Sequence, residues 1–188
     1  MKPAPFAYRR PSTLGDAVAL LAGTTGAKVL AGGQSLVPLL SMRLAAPPLL
    51  VDINAVPDLG HVRCAEDGVR IGALARHAAV LADPDVRRSQ PLVNRALAHV
   101  AHATIRNRGT TVGSLVHADA AAEMPVVLTL LGGTVDVVGP AGRRTIAAAN
   151  EAPFENPNTT RSAGSADTPV RASAHGRTSS RKNRSWAA

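Results

Sequence analysis

The sequence contains few of the residues that form covalent crosslinks, metal clusters or aromatic stacks. Its 188 residues include one cysteine, Cys64, and four aromatic residues. A single cysteine excludes an internal disulfide, and it excludes a four-cysteine zinc or iron–sulfur site held by this chain alone. The hydrophobic core is therefore predicted to be aliphatic, with Cys64 buried as a small apolar residue beside a strand. Such cysteine usage is typical of a reduced, cytoplasmic protein.

Long hydrophobic runs are also absent. No stretch approaches the roughly 20 apolar residues that a membrane-spanning helix needs. The first 14 residues contain three prolines and two arginines, and they lack the apolar region of a secretory signal. The sequence therefore predicts a soluble, cytoplasmic protein without a membrane span.

The net charge of +8 is not concentrated in a pattern typical of nucleic-acid binding. Residues 1–150 hold 15 Lys or Arg and 10 acidic residues, whereas residues 151–188 hold 6 and 3. The basic residues of the first region are dispersed and are not interleaved with aromatic side chains that stack on bases. This distribution is at least as consistent with an anionic cofactor or an acidic partner. A nucleic-acid binder acting through residues 151–188 remains an alternative.

The titratable residues do not form a metal or catalytic constellation. His99 and His102 lie three residues apart on a predicted helix, but no third metal ligand accompanies them. His117 and Asp119 are close in sequence without a nucleophile beside them. We therefore predict no metal ligands and no catalytic side chains, and we expect all four residues to be structural.

Composition and turn residues divide the chain into three regions. Residues 1–54 are predicted to form a small α/β lobe, and residues 55–150 a larger α+β lobe. In residues 151–188, 18 of 38 positions are Gly, Pro, Ser, Thr or Asn. This region contains too few apolar side chains to offset the entropy of ordering its backbone. It is predicted to be a disordered basic tail.

Apolar spacing and capping residues predict the elements of each lobe. In the smaller lobe, Thr13 and Asp16 cap a helix, and the strands on either side of a later helix form a right-handed parallel unit. In the larger lobe, periodicity predicts helices and two hairpins. The predicted helices cover residues 14–22, 35–43, 76–82, 91–102 and 125–131. The predicted strands begin at Lys28 and cover 49–53, 61–65, 69–73, 134–138 and 144–146.

Two glycine-containing stretches have the composition of anion-binding loops. In the first, a short strand meets Gly32 and Gly33, and Ser35 then opens a helix, so backbone N–H groups point at whatever lies there. The second, residues 104–114, combines hydroxyls, glycines and two arginines, which bind phosphate by hydrogen bonds and by charge. Either stretch alone is also consistent with a simple connection between elements. Together they predict a grip on a pyrophosphate from both sides, although neither common nucleotide-binding glycine motif is present.

Four stretches of the chain resemble the FAD-binding (medium) subunits of molybdenum hydroxylases, such as aerobic carbon monoxide dehydrogenase and the xanthine dehydrogenase group. The likeness covers about residues 4–149, and the order and spacing of the stretches also agree. The stretches read Phe-Ala-Tyr-Arg-Arg-Pro-Ser at 6–12, Ala-Gly-Gly-Gln-Ser-Leu at 31–36, Ile-Arg-Asn-Arg-Gly-Thr at 105–110, and Gly-Ser-Leu-Val-His-Ala-Asp at 113–119 running on to Ala-Glu-Met-Pro at 122–125.

The resemblance implies a fold, a cofactor and a role. The fold is that of p-cresol methylhydroxylase-type flavoproteins, an α+β fold with a small parallel α/β lobe and a larger α+β lobe. FAD lies between two segments, the first glycine segment (residues 31–36) and the second glycine segment (residues 110–114). The implied FAD-binding residues are Ala31, Gly32, Gly33, Gln34, Ser35, Leu36, Thr110, Thr111, Val112, Gly113, Ser114 and Glu123, the last at the ribityl chain or nearby hydroxyls.

The implied activity is that of an oxidoreductase subunit. In the family, a large subunit hydroxylates substrate at molybdenum, and a small subunit carries electrons through two [2Fe–2S] clusters. FAD in this chain receives those electrons and passes them to an external acceptor, so no general acid or base is required here. The implied partners are therefore these two subunits of one cytoplasmic complex.

Two departures from the family pattern define an alternative. Val112 stands where relatives have a glycine, and a branched side chain there is expected to hinder close approach of the backbone to FAD. Nothing after Asn150 resembles the C-terminal domain of the family, which suggests a truncated or frameshifted reading frame. The alternative is a non-enzymatic remnant with impaired FAD binding.

Overall fold

The computed structural model of the chain describes residues 2–66 and 68–148, together with the backbone of residues 174–175. These residues form two β-sheets with helices packed around them. The predicted tail, residues 151–188, lies outside the described residues except at Ala174–His175, whose backbone forms a short strand.

The smaller sheet contains three parallel strands in the order β1-β3-β2. Its strands are β1 (Ala7–Arg9), β2 (Lys28–Leu30) and β3 (Leu49–Asp52). The central strand β3 is buried at every position, because a strand in the middle of a parallel sheet is covered on both faces. Pairing of Val29 with Val51 fixes the register of β2 and confirms the predicted parallel unit. The edge strand β1 was not predicted from the sequence.

Two helices connect the strands of this smaller sheet, α1 (Leu14–Ala22) and α2 (Leu36–Ser41). The hydroxyl oxygen of Thr13 accepts a hydrogen bond from the backbone N–H of Asp16 at 3.1 Å. This contact satisfies one of the N–H groups that a helix leaves unpaired at its start. Ala17 and Leu21 turn one face of α1 into the core, so the predicted cap and the predicted helix are both confirmed.

The larger sheet contains five antiparallel strands in the order β4-β5-β8-β6-β7. The predicted hairpins are confirmed, with Cys64 opposite Val69 in the first and Asp136 opposite Thr145 in the second. The backbone of residues 174–175 pairs with β5 on one side and β6 on the other. The strands are β4 (Val62–Ala65), β5 (Gly68–Ile71), β6 (Thr134–Gly139), β7 (Gly142–Ala147) and β8 (Ala174–His175).

Six short helices accompany this sheet in the part of the chain that the structure describes. They are α3 (His77–Ala82), α4 (Pro84–Ser89), α5 (Pro91–His99), α6 (Ala103–Arg108), α7 (Thr111–His117) and α8 (Glu123–Leu130). Helix α5 ends at His99, whereas the sequence predicted a helix that continues to residue 102. Over the described ranges, the helices are too short or too polar to span a lipid bilayer.

The apolar side chains form two separate core clusters. The larger cluster lies between the antiparallel sheet and its helices, and Leu97, Val80 and Val86 are its most buried members. The smaller cluster surrounds β3 and includes Val51 and Ile53. Three side chains beyond residue 54 also belong to this smaller cluster, namely Val56, Leu59 and Ala73. A division into lobes at residues 54 and 55 stays a prediction.

Cys64 is exposed, and the prediction that it is buried was wrong. It lies on β4, which is an edge strand of the larger sheet, and Arg63, Cys64 and Ala65 are all exposed there. The hydroxyl of Ser89 lies 3.7 Å from its sulfur. Within β4, only Val62 is partly buried. The composition of the strand does not show that it lies at a sheet edge, so it did not predict that the thiol is exposed.

Candidate functional site

The first glycine segment forms a tight turn between β2 and α2. Gly33 has a φ of +72°, a conformation that glycine adopts without the strain that a Cβ would introduce. The side-chain amide of Gln34 donates to the carbonyl of Gly32 at 3.1 Å and holds the turn closed. Among the described residues, no acceptor receives the backbone N–H groups of Gln34, Ser35 or Leu36. These three donors are available to an anion.

The second glycine segment is helical, not the loop that the sequence predicted. Helix α6 ends at Arg108, Gly109 follows, and α7 begins at Thr111 with Thr110 as its N-cap. The Thr110 hydroxyl accepts a hydrogen bond from the N–H of Gly113 at 3.1 Å. Val112 and Leu115 bury one side of α7 in the larger core cluster. This burial and the cap stabilise a helix that a run of Thr, Asn, Arg and Gly does not indicate by itself.

A short antiparallel pairing fixes the start of α7 to the chain that precedes α3. The N–H of His77 donates to the carbonyl of Gly109 at 2.9 Å, and the N–H of Thr111 donates to the carbonyl of Ala75 at 3.0 Å. Arg76 lies opposite Thr110 between these two bonds. The Thr111 hydroxyl lies 3.2 Å from Nδ1 of His77. The second segment is therefore anchored through both its backbone and a side chain.

The two glycine segments meet at Gly32. A Cβ placed on Gly32 would lie 2.5 Å from the carbonyl oxygen of Arg108, 2.9 Å from Cα of Gly109 and 3.0 Å from the backbone nitrogen of Thr110. Real Cβ atoms do not approach other atoms so closely, and those three atoms belong to backbone that cannot move alone. Only glycine therefore fits where the first segment crosses the second.

Two polar side chains that the sequence analysis did not single out also join the segments. The Asn54 amide donates to the carbonyl of Ala31 at 2.9 Å. The guanidinium of Arg76 donates to Oδ1 of Asn54 at 2.7 Å and to the carbonyl of Arg108. Asn54 follows the carboxyl end of β3, where ligands of parallel sheets commonly bind, and this position is the signal that was available. Arg76 has no comparable local signal.

Asp52 orients the Asn54 side chain. Its Oδ1 accepts from the backbone N–H of Asn54 at 2.9 Å and from the Asn54 amide at 2.6 Å. Its Oδ2 accepts from the Tyr8 hydroxyl and lies 3.8 Å from Nε of Arg10. Burial opposes the charged form of Asp52, but the hydrogen bonds from Tyr8 and Asn54, together with Arg10, outweigh it and hold the pKa of this carboxyl below its ordinary value.

His77 is buried behind the second segment as a neutral side chain. Burial is the main cause that lowers the pKa of His77 from 6.5 to about 4. The Glu123 carboxylate acts in the opposite direction, and the Arg106 guanidinium adds to the lowering. Glu123 is the first residue of α8.

The predicted site residues differ in how far they face solvent. Residues 31–34 and Leu36 are half-buried, and Ser35 is exposed. Gly113, Ser114 and Glu123 are half-buried, whereas Thr110 and Thr111 are buried. Val112 is 3% exposed and packs in the larger core cluster. Its branched side chain is therefore accommodated in the core.

A small apolar cavity lies beneath the second segment. Its volume is about 40 Å³, and Thr111, Leu115 and Met124 are among the residues that line it. Gln90 also lines it, and the side-chain nitrogen of this buried residue has no hydrogen-bond partner among the described residues.

In residues 2–66 and 68–148, His, Cys, Asp and Glu form no group of three or more that could hold a metal ion.

A glycine turn follows a parallel strand, contacts a second backbone segment and carries N–H groups without an acceptor among the described residues. This arrangement is typical of proteins that bind a phosphate-containing ligand. The family described as the FAD binding domain in molybdopterin dehydrogenase matches residues 4–164. The chain belongs to this family, whose cofactor is FAD. The family resemblance identified from the four sequence stretches is confirmed.

Relatives of the chain include subunits of dehydrogenases. The alpha subunit of the 6-hydroxypseudooxynicotine dehydrogenase complex from Paenarthrobacter nicotinovorans is 48% identical over 147 residues, which are 78% of this chain and 50% of the relative. The carbon monoxide dehydrogenase medium chain from Hydrogenophaga pseudoflava is 38% identical over 150 residues, which are 79% and 52% of the two chains. The chain thus spans about half the length of the relatives it matches.

A solved structure confirms the predicted fold class. Quinoline 2-oxidoreductase from Pseudomonas putida 86 superimposes with a TM-score of 0.81 and is 37% identical, and the match covers 93% of this chain and 60% of the other. The small parallel lobe and the larger α+β lobe are thus those of the flavoprotein fold inferred from the sequence.

Proposed function

We propose that this chain binds FAD in the groove between the two glycine segments and serves as the electron-transfer subunit of a molybdenum hydroxylase. The observation that carries this proposal is the contact of Gly32 with Arg108, Gly109 and Thr110. It brings together two segments that are more than 70 residues apart in the chain, and both have the composition of phosphate-binding backbone. Family membership supplies the identity of the cofactor.

The residues that are present fit a dinucleotide diphosphate. Three backbone N–H groups, those of Gln34, Ser35 and Leu36, are without an acceptor among the described residues. Gly33 has the left-handed φ that lets consecutive N–H groups converge on an anion. Gly32 leaves no Cβ between the two segments. The groove therefore offers neutral donors and open backbone where a diphosphate requires them.

Each segment has its own role in this proposal. Backbone donors of residues 31–36 hold the diphosphate from one side, and the start of α7, residues 110–114, holds the cofactor from the other. The exposed hydroxyl of Ser35 and the half-buried hydroxyl of Ser114 add further donors. Glu123 accepts hydrogen bonds from ribityl or neighbouring hydroxyls. Val112 stabilises α7 by packing in the core and does not contact the cofactor.

The chain's part in the reaction is to bind, orient and shield the cofactor. When bound, FAD supplies the redox chemistry that connects one-electron carriers with an external acceptor. The partners proposed for this exchange are a [2Fe–2S] small subunit and a molybdenum-containing large subunit. We place the complex in the cytoplasm. No proton transfer by a side chain of this chain is required.

Reconstitution with FAD tests the proposal directly. The purified chain is mixed with FAD, and unbound flavin is removed by gel filtration. We expect the protein fraction to retain the visible absorbance of flavin and to quench its fluorescence in a saturable titration. ADP is expected to compete with FAD, because the proposed grip is on the diphosphate, whereas riboflavin is expected to compete poorly.

A colourless protein that also fails in titration at high FAD concentration would contradict the proposal and favour the alternative of a remnant without FAD. A circular dichroism spectrum of the same sample shows whether the chain is folded. Binding of FAD with no competition from ADP would contradict the role assigned to the two glycine segments. Co-purification with the molybdenum and iron–sulfur subunits tests the proposed assembly separately.

A further inference from the structure

We propose that Arg76 is a positioning residue that, together with Asn54, fixes the separation of the two glycine segments and so sets the affinity for the diphosphate of FAD. This inference rests on the proposed function. Neither residue belongs to the glycine segments. They contact backbone carbonyl groups, Asn54 that of Ala31 in the first segment and Arg76 that of Arg108, two residues before the second segment.

The hydrogen bonds form one continuous connection from the first segment to the second. It begins at the carbonyl of Ala31, which accepts from the Asn54 amide at 2.9 Å. Oδ1 of the same amide accepts from Nη2 of Arg76 at 2.7 Å. Nη1 of Arg76 then donates to the carbonyl of Arg108, next to Gly109. These contacts join residues that are 22, 23 and 32 positions apart, so no local element would hold them in place.

The chemistry of each side chain matches this task. An amide group donates and accepts at once, so Asn54 can serve the Ala31 carbonyl and the Arg76 guanidinium together. A guanidinium presents several donors in a rigid fork, so Arg76 can serve two acceptors that belong to different parts of the chain. A lysine ammonium is a flexible point donor and does not fix two acceptors at a set distance. The connection therefore specifies arginine at position 76.

Both ends of the connection are held by further hydrogen bonds. Asp52 accepts two hydrogen bonds from Asn54, at 2.9 Å and 2.6 Å, and is itself held by Tyr8. On the other side, Arg76 lies between two backbone hydrogen bonds, those of His77 to Gly109 and of Thr111 to Ala75. Both ends are thus fixed before a ligand binds, which reduces the ordering that binding requires.

The test uses the full chain, five variants at Arg76 and Asn54, and one control. Arg76→Ala removes the guanidinium and leaves space for an added one. Arg76→Met keeps most of the side-chain length without the charge, Arg76→Lys keeps the charge without the fork, and Asn54→Ala removes the amide. The double variant of Arg76→Met and Asn54→Ala measures whether the two residues act as a unit. Arg95→Met is the matched control, because Arg95 is an exposed residue of α5 with the same charge.

We expect Arg76→Met and Asn54→Ala each to weaken FAD binding about 10- to 100-fold, the range for a hydrogen bond to a charged group. The double variant is expected to be about as weak as the weaker single variant, because either change breaks the same connection. Arg76→Lys is expected not to restore affinity. Ethylguanidinium at concentrations that do not denature the protein is expected to improve FAD binding by Arg76→Ala, whereas ammonium ions are not.

Hydrogen exchange measured without FAD provides a second readout. Arg76→Met is expected to increase exchange at two amides at once and to leave α5 unchanged. These are Val37, whose N–H donates to the carbonyl of Gly33 in the first segment, and Thr111 of the second segment, whose N–H donates to the carbonyl of Ala75. Wild-type affinity in Arg76→Met, additive effects in the double variant, or unchanged exchange at both amides would overturn the inference. If the wild-type chain does not bind FAD, the proposed function fails, and the exchange experiment still decides whether Arg76 joins the segments.

Discussion

Gly32 faces the carbonyl oxygen of Arg108 so closely that a Cβ on Gly32 would lie 2.5 Å from it. This contact closes the proposed FAD groove, and it makes a minimal substitution informative. The first segment passes the second with room for a hydrogen atom only. The two segments must separate, or one must shift, when any side chain is added there.

Gly32→Ala is expected to weaken FAD binding by at least about tenfold, because the added methyl group displaces the backbone of the second segment. Gly60→Ala is the matched control, since a Cβ at Gly60 meets no atom within 4 Å. Fluorescence titration with FAD measures both variants. Equal affinity of the two variants would show that the groove tolerates separation of the segments and that Gly32 is not required.

Val112→Gly is expected to destabilise the chain without improving FAD binding. Val112 is 3% exposed and packs in the larger core cluster, so its removal leaves a cavity and also places glycine in a helix. We expect a loss of about 2–4 kcal/mol in the free energy of unfolding.

Urea denaturation measures this loss, and Val116→Gly is the control because Val116 is exposed on the same helix. The control is expected to lose only about 1 kcal/mol, the effect of glycine on a helix. A marked gain in FAD affinity of Val112→Gly would instead support the steric obstruction expected from the sequence.

His77 is expected to make the stability of the chain depend on pH. Its folded pKa is about 4, below the ordinary 6.5. Between these values the unfolded chain binds a proton that the folded chain does not, so the free energy of unfolding falls as the pH is lowered from 6.5 to 4. The contribution is complete above pH 6.5 and is on the order of 3 kcal/mol at most.

Denaturation at several pH values in this window compares the wild type with His77→Gln, a variant that keeps a polar side chain beside Thr111. The variant is expected to show a smaller loss over the same range, since other groups titrate equally in both proteins. Parallel curves would mean that His77 is protonated as easily in the folded chain as in the unfolded one.

Gln90→Met is expected to stabilise the chain. The buried side-chain nitrogen of Gln90 has no hydrogen-bond partner among the described residues, and it lines an apolar cavity. Replacement by a thioether of similar length removes the unpaired donor, whose burial is unfavourable by about 1–3 kcal/mol. Thermal denaturation is expected to show a higher midpoint. A lower midpoint would indicate that the amide binds an internal water molecule.

Local sequence signals predicted the elements that local interactions determine. The cap at Thr13, the strand at Lys28 and the parallel unit of β2 and β3 were all evident, because each rests on neighbouring residues or on a short apolar run. The first glycine segment was found for the same reason. Strand β1 was missed because it is an exposed three-residue edge strand between prolines, stabilised by pairing with β3 and by the hydrogen bond of Tyr8 to Asp52.

The interactions that complete the candidate site act over long sequence separations. The second segment was predicted as a loop because its composition resembles one, yet burial of Val112 and Leu115 makes it helical. Arg76 has no local signal and Asn54 has only its position after a parallel strand, because the partners that give them their roles lie 22 to 32 residues away. Cys64 was expected to be buried, but the position of β4 at a sheet edge decides its exposure.

The smaller core cluster extends past residue 54, and this limits where the chain can be recombined with a relative. Val56, Leu59 and Ala73 cover this cluster, and the N–H of Leu74 donates to the carbonyl of Leu59 at 2.8 Å. A chimaera with its crossover at residue 54 would join side chains that were never selected to pack together. A crossover after Ala75 would keep this cluster and its cover together, but it would part Val69 and Ile71 of β5 from the rest of the larger core cluster, so neither crossover leaves both cores intact.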